Sequence, residues 1–208
     1  MHVAGSKGQA KAASRDPTLR YVVEHLEEVF EAGKWCFLEY QHIINTVGAN
    51  RLFITNMSAQ DSKLLGPTFA TTRASIADLH GKPGDAEESK RLFTVDPARV
   101  CFLDMRADLP LSPEDAGVFD YVVFGGVLGD HPPRDRCLHL RGHGYPLRHL
   151  GARQMTTDTA VLTVKLILEE GRPLSSLQFV DDPDVPTGLM DSTRLPFRYL
   201  VDPKHKDS

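Results

Sequence analysis

Glu39 is the residue whose type and position in this sequence most directly suggest chemistry. Apolar residues recur around it at helical spacing, which predicts a helix over residues 35–47 that ends at Gly48. The apolar face of this helix consists of Cys36, Tyr40, Ile43 and Val47. At roughly 100° per residue, Glu39 falls near the edge of that face and not on the opposite polar side. A carboxylate in this position must be paired or functional.

Three further glutamates, Glu24, Glu27 and Glu28, precede this helix. Together with Glu39 they could form an acidic pocket, which would receive a cationic guanidinium and help to remove its proton. The alternative is a solvated acidic loop, and we favour this alternative for Glu27 and Glu28.

Two other segments could hold a ligand through their backbones. In residues 124–130 (FGGVLGD), glycines follow a strand-like run and would allow close approach of the backbone to a ligand. A tight turn that binds nothing explains this spacing equally well. Residues 155–160 (MTTDTA) enter a helix, where free N–H groups and threonine hydroxyls could bind a polar or anionic group. Taken alone, those residues favour plain helix capping.

The loop between these segments is rich in histidine and arginine. Cys137, His139 and His143 resemble metal ligands in spacing, but no second close pair completes a tetrahedral set, and we predict no metal site. The local basic cluster consists of Arg134, Arg136, Arg141, Arg148 and Arg153. Contact with RNA or an acidic partner, and internal pairing with Asp130, Asp135 and Asp158, explain this cluster about equally well.

Strand-like and helical segments alternate along the chain. The strongest helix covers residues 157–170, capped by Thr156 or Thr157 and stopped by Gly171; a helical turn is also predicted from Ser112, over residues 112–119. Further predicted elements are a helix in residues 74–79, strands at 21–25, 52–55, 99–105, 121–124 and 177–180, and a short strand within 148–154. This alternation predicts an α/β fold with a mostly parallel sheet flanked by helices. Ligands bind beyond the carboxyl ends of such strands, which is where Gly125 and Gly126 fall.

Composition limits the function classes. The formal net charge of the 208 residues is −4, which argues against bulk nucleic-acid binding by phosphate neutralisation. Three cysteines are too few for a disulfide framework; Cys36 and Cys101 are expected in the core. No apolar run could span a bilayer, and we expect a cytoplasmic protein. The expected organisation is a flexible tail (1–19), a single domain (20–201) and a C-terminal tail (202–208).

Five motifs together resemble the SPOUT-type arginine methyltransferases, whose best-known member modifies the third protein of the small ribosomal subunit. They are YVVEHLEE (21–28), WCFLEY (35–40), YVVFGGVLGDHPPRDR (121–136), RHLGARQMTTDTA (148–160) and LPFRYL (195–200). The second and third of these contain Glu39 and the glycine segment, so the resemblance joins the separate candidates into one site within residues 123–160 and α-helix 35–47.

The resemblance implies a C-terminal deep trefoil knot that binds S-adenosylmethionine in a bent conformation. One wall of the cofactor site would be Gly125, Gly126, Leu128, Gly129 and Asp130. The other would be Leu150, Gly151, Gln154, Met155, Thr156 and Thr159, acting largely through backbone groups. Glu39 matches an acidic residue that binds the target arginine, with Asp130 as a second candidate for that catalytic role. The substrate would be a ribosomal protein of the small subunit, with ribosomal RNA as a further contact, and a monomer is favoured over a dimer.

Two other functions remain open on the sequence. RNA methylation is the commoner activity among knotted proteins of this superfamily, and the arginine cluster favours it. A non-catalytic ribosome- or RNA-binding module is the third interpretation. The overall acidity and Glu39 favour arginine methylation.

Overall fold

The computed structural model describes residues 19–79, 96–126, 138–186 and 191–201. Several sequence predictions therefore lie outside the described residues. These are the N-terminal tail except for residue 19, the C-terminal tail, the loop predicted around residues 80–90, the segment with Leu128, Gly129 and Asp130, and Cys137 with Arg134 and Arg136.

Six parallel strands form the main sheet. Their order is β3-β2-β1-β5-β4-β6, so the first strand pairs with the second on one side and with the fifth on the other. The strands are β1 (Arg20–His25), β2 (Leu52–Thr55), β3 (Ala70–Thr71), β4 (Val100–Leu103), β5 (Tyr121–Gly126) and β6 (Leu147–Arg148). The predicted parallel α/β architecture is confirmed, and β5 extends through both predicted glycines.

Helices cover both faces of this sheet, because the central strands bury alternate side chains on opposite sides. Tyr21 and Val23 of β1 belong to one core, whereas Val22 belongs to the other. The helices are α1 (Trp35–Val47), α2 (Ala59–Leu65), α3 (Ile76–Leu79), α4 (Leu138–Arg141) and α5 (Thr157–Leu168). The first core holds α1 and α5, and the second holds Ile76 of α3 and Leu140 of α4.

Helix α1 forms as its sequence predicts. It covers residues 35–47 and buries Cys36, Tyr40, Ile43 and Val47, and it ends where Gly48 takes a φ of 90°. Few other residue types adopt that φ without strain, so Gly48 sets the length of the helix. Helix α5 likewise starts at Thr157, two residues shorter at its end than predicted.

Several elements differ from the predictions, including α4, which lies in a segment predicted as a polar loop. Helix α2 and strand β3 were not expected; α2 buries only Leu65, so it carries little apolar periodicity, and β3 has two residues. The predicted helix 112–119 is a single 3₁₀ turn, Pro113–Asp115. The helix does not continue beyond Asp115. The carboxylate of this residue accepts the N–H of Ser112 and pairs with Arg148.

The C-terminal region adds two short antiparallel pairs. Strand β7 (Phe179–Asp181) pairs with β10 (Arg198–Leu200), and β8 (Asp184–Pro186) pairs with β9 (Ser192–Arg194). The N–H of Arg198 donates to the carbonyl of Gln154 at 2.9 Å, so β10 returns to the loop before α5. Within the described ranges, none of the helices is long and apolar enough to cross a membrane.

Candidate active site

Glu39 is buried between two helices. Its side chain lies on α1 at 6 % exposure, and its Oε1 accepts the N–H of Thr157, the first residue of α5, at 3.2 Å. Thr157 N–H is one of the donors that an α-helix leaves unpaired at its N-terminus. The sequence prediction that Glu39 must be paired or functional is confirmed, and its partner is the helix that carries the second ligand-binding candidate.

Burial, and after it the nearby charge of Asp158, raise the pKa of the Glu39 carboxyl to about 8. Hydrogen bonds from the Trp35 side chain and from the Thr157 N–H oppose this shift, and Glu27 adds a smaller repulsion. A pKa of about 8 leaves much of Glu39 protonated near neutral pH. A cation placed beside it would restore the carboxylate.

Asp158 pairs with a histidine beside Glu39. Its Oδ2 lies 2.7 Å from Nδ1 of His42, which follows Glu39 by three residues on α1. Pairing of Asp158 with an arginine was one of two interpretations of the basic cluster, and Arg134 and Arg136 lie outside the described residues. The partner of Asp158 that the structure describes is His42.

Glu24 does not join this pocket, contrary to the sequence prediction. It is completely buried in β1, and it accepts hydrogen bonds from the hydroxyls of Thr55 and Ser75 and from the N–H of Ile76. Its role is to fasten the segment before α3 to the sheet. Glu28 is exposed, as expected for a solvated loop residue, whereas Glu27 is half-buried and its charge acts on Glu39.

The first predicted cofactor wall begins at the carboxyl end of the sheet. Gly125 and Gly126 close β5 and lie opposite Glu24 and His25 of β1. His25 is buried, and its Nδ1 is 2.8 Å from the hydroxyl of Tyr40 on α1. The remaining members of this wall, Leu128, Gly129 and Asp130, lie outside the described residues.

The second predicted wall is the connection from β6 to α5. Gly151 has a φ of 104°, a conformation that L side chains rarely adopt. Leu150, Gln154 and Met155 are half-buried along this connection. Because parallel strands end at one edge of the sheet, this connection starts at the same edge as Gly125 and Gly126.

Two buried threonines end this wall. The hydroxyl of Thr156 donates to that of Thr159 at 2.7 Å, and both side chains are buried. Thr156 is the N-cap residue by position, as predicted, but its side chain makes no capping bond. The polar groups left to meet a ligand are therefore mainly backbone N–H and C=O groups of this connection.

The described arginines of the basic cluster form internal ion pairs. Arg141 pairs with Asp104, Arg148 with Asp115, and Arg153 with Asp181 and Asp182. These pairs support the structural interpretation of Arg141 and Arg148. Two of the partners suggested by sequence proximity, Asp130 and Asp135, lie outside the described residues. The side chain of Cys137, like that of His139, is not described, and the residues that are described contain no cluster of three metal-ligating side chains.

Trp35 was missed in the sequence analysis. It begins α1 four residues before Glu39, its side chain lowers the pKa of that carboxyl, and it is still 43 % exposed. The spacing of four residues was a usable sign, because such residues are neighbours on one helix face.

Replacing Glu39 with glutamine should stabilise the fold increasingly as the pH rises. The carboxyl has a pKa of about 8 when folded against 4.5 for an unperturbed glutamate, so its ionisation opposes folding. Protonated Glu39 makes a contribution to the free energy of unfolding that is fully present below about pH 4.5 and is lost as the pH rises through about 8. This contribution is about 1.4 kcal/mol per unit of pKa difference. Glutamine does not titrate and avoids this loss.

Urea unfolding of wild type and Glu39→Gln at about pH 5, 7 and 9 measures the difference. Glu28→Gln, at an exposed position of the preceding loop, is the matched control and should follow wild type. Parallel pH profiles for wild type and Glu39→Gln would show that the Glu39 carboxylate ionises freely in the folded protein.

The fold and the geometry of this site define a class of protein. Ligands bind at the carboxyl edge of a parallel α/β sheet. At this edge the protein has β5, which ends in two glycines, and the connection from β6 to α5. The buried Glu39 carboxyl, whose pKa is raised, contacts the start of α5. This is the arrangement of an α/β enzyme with a small-molecule site next to an acid–base group.

The comparisons with known proteins specify the family. The model of the "Protein arginine N-methyltransferase SFM1-like" family matches residues 20–208. Protein arginine N-methyltransferase SFM1 of Saccharomyces cerevisiae is 38% identical over 192 residues, which cover 90% of this chain and 89% of the yeast protein. The chain belongs to the SFM1-like protein arginine N-methyltransferase family.

Solved structures agree with this assignment. The yeast arginine methyltransferase SFM1 complexed with SAM has a TM-score of 0.78 and 37% identity, covering 90% of this chain and 84% of that one. A dual-specific Trm10 from Thermococcus kodakaraensis is 13% identical with a TM-score of 0.52, covers 74% of this chain and 95% of its own, and shares the fold alone. The predicted family and the SPOUT-like fold class are confirmed, and the trefoil knot stays a prediction.

Proposed function

We propose that this protein transfers a methyl group from S-adenosylmethionine to an arginine side chain of a small-subunit ribosomal protein, in the cytoplasm and as a monomer. The observation that carries the proposal is the buried Glu39 carboxylate, held by the first N–H of α5. Family membership and the yeast structures complexed with SAM and SAH support the cofactor. The ribosomal substrate rests on the family resemblance of the motifs.

The described residues suit S-adenosylmethionine in two respects. Leu150 and Met155 offer half-buried apolar surface for an adenine ring, and Gly151 takes a backbone conformation that exposes peptide groups without a side chain. The hydroxyls of Thr156 and Thr159 bond to each other and leave the backbone to recognise the ligand. We assign cofactor binding to Gly125, Gly126, Leu128, Gly129 and Asp130 on one side and to Leu150, Gly151, Gln154, Met155, Thr156 and Thr159 on the other.

The bound cofactor supplies an electrophilic methyl group on a sulfonium, which becomes a thioether when the methyl leaves. The protein must place an arginine nitrogen in line with that methyl. A guanidinium is a poor nucleophile because its charge is delocalised over three nitrogens. A carboxylate beside one nitrogen localises the positive charge there and accepts the proton as the new N–C bond forms.

Glu39 has the properties that this step requires. Its pKa of about 8 lies near the working pH, which suits an acid–base group. The cationic guanidinium itself would lower this pKa on binding, so substrate binding generates the carboxylate. The proton is then taken up at Glu39, next to the Asp158–His42 pair at the surface. Asp130 remains the second candidate for this role.

Labelling of ribosomes tests the proposal. Small ribosomal subunits are incubated with the protein and S-adenosylmethionine labelled in its methyl group, and protein and RNA are then counted separately. We expect label in protein, recovered as methylarginine after hydrolysis. Label found only in RNA would support RNA methylation instead. If calorimetry detects no binding of S-adenosylmethionine, the non-catalytic module would be supported.

A further inference from the structure

Trp35 is the single tryptophan of the chain and stands out by its exposure. Tryptophan side chains are usually largely buried, yet this one is 43 % exposed at the first position of α1. A large aromatic ring left at the surface beside a candidate active site is a feature of recognition surfaces.

The ring lies next to the buried acid. Trp35 and Glu39 are four residues apart on α1 and are therefore neighbours on one face of the helix. Glu39 is buried, and its carboxylate accepts the N–H of Thr157. Trp35 thus borders the buried acid while much of its own side chain faces solvent.

The surroundings of this ring favour a cation. Asp158 and Glu27 both act electrostatically on Glu39. Tyr199, on β10, is half-buried on the same side: burial raises its pKa, and the charges of Asp158 and Glu39 raise it further. Trp35 on α1 and Tyr199 on β10 therefore both lie near the Glu39 carboxylate.

We propose that Trp35 forms the aromatic wall of the substrate site, on which the guanidinium of the target arginine stacks while Glu39 accepts its N–H groups. This inference rests on the proposed function and specifies how arginine is selected. A planar guanidinium can stack on an indole face and donate sideways to a carboxylate at the same time, whereas the tetrahedral ammonium of lysine lacks the planar face. A cation over a tryptophan ring contributes about 0.5–2 kcal/mol, depending on how far it is desolvated.

Two substitutions separate this role from a purely structural one. Trp35→Ala removes both the ring and the indole N–H, whereas Trp35→Phe removes the N–H and keeps an aromatic face. Both should move the pH–rate profile to higher pH, because the Trp35 side chain lowers the pKa of Glu39. Only Trp35→Ala should lose affinity for the substrate.

Steady-state kinetics at saturating cofactor tests the proposal. The substrate is a synthetic peptide that contains the arginine identified by the ribosome labelling experiment. We expect KM for the peptide to rise about tenfold in Trp35→Ala, the equivalent of about 1.4 kcal/mol. In Trp35→Phe the KM should stay within about threefold of wild type, since phenylalanine retains a stacking face. Val118→Ala, a comparably exposed apolar residue before β5 at the opposite edge of the sheet, is the control and should leave both constants unchanged.

An unchanged KM in Trp35→Ala, or equal KM values in Trp35→Ala and Trp35→Phe, would overturn the stacking role. If the wild-type protein itself does not methylate the arginine peptide, the proposed function fails, and this outcome is distinct from a failure of Trp35 alone.

Fluorescence gives an independent measurement on the unaltered protein. Because Trp35 is the single tryptophan, its emission reports on this position directly. In the presence of S-adenosylhomocysteine, the arginine peptide should change that emission with the same midpoint as binding. Saturating peptide that leaves the emission unchanged would contradict contact with the ring.

Discussion

Glu39→Gln is expected to lower kcat for arginine methylation by at least about 100-fold, the lower end of what a positioned acid–base group contributes. Glutamine keeps the shape of the side chain and an oxygen that can accept the Thr157 N–H. It can neither localise charge on the guanidinium nor take up its proton. The loss should therefore appear in turnover and not in cofactor affinity.

Calorimetry with S-adenosylmethionine, run in parallel with turnover, makes this result interpretable. Cofactor affinity should stay within about threefold of wild type, because the proposed cofactor contacts are backbone groups of other residues. Glu28→Gln, an exposed glutamate in the loop before α1, should retain wild-type turnover. Near-normal turnover of Glu39→Gln would rule out the role of Glu39 and move attention to Asp130.

Glu24→Ala should destabilise the fold by about 3 kcal/mol or more, since each buried donor left without a partner costs about 1–3 kcal/mol. The carboxylate is completely buried and serves three donors, the hydroxyls of Thr55 and Ser75 and the N–H of Ile76. Alanine removes the acceptor that these donors share and opens a cavity between β1, β2 and α3.

Urea unfolding of Glu24→Ala at neutral pH checks this loss as a lower midpoint. Glu24→Gln, which keeps the volume and one acceptor oxygen, should fall between the alanine variant and wild type. Glu31→Ala, at an exposed position, serves as the control. A midpoint for Glu24→Ala equal to that of wild type would mean that water replaces the carboxylate without cost.

Local sequence patterns predicted the elements that bury a regular face. The period of α1 and the β-branched runs of β1, β2 and β5 place their residues within one or two positions of the structure. Helix α2 escaped prediction because it buries only Leu65, and the turn after Ser112 because Asp115 is engaged by Arg148 from a distant strand.

The site was predictable only in part, for the same physical reason. The helical position of Glu39 indicated a paired or functional carboxylate, but its partner Thr157 lies 118 residues away and follows from no local pattern. Glu24 misled the sequence analysis, since a glutamate at a strand end resembles a loop acid. Its three partners lie 31 to 52 residues further along the chain.

The pairing of β1 with β5 has a consequence for the order of events during folding. Arg20 lies opposite Tyr121, so the two central strands are separated by 101 residues, and every strand of the main sheet is parallel. Such non-local pairing closes large loops before it gains contacts, which makes folding slow. A ribosome must synthesise more than half of this chain before the middle of its sheet can form. During that interval β1 lacks its neighbour β5, and only its other edge can be covered, by β2.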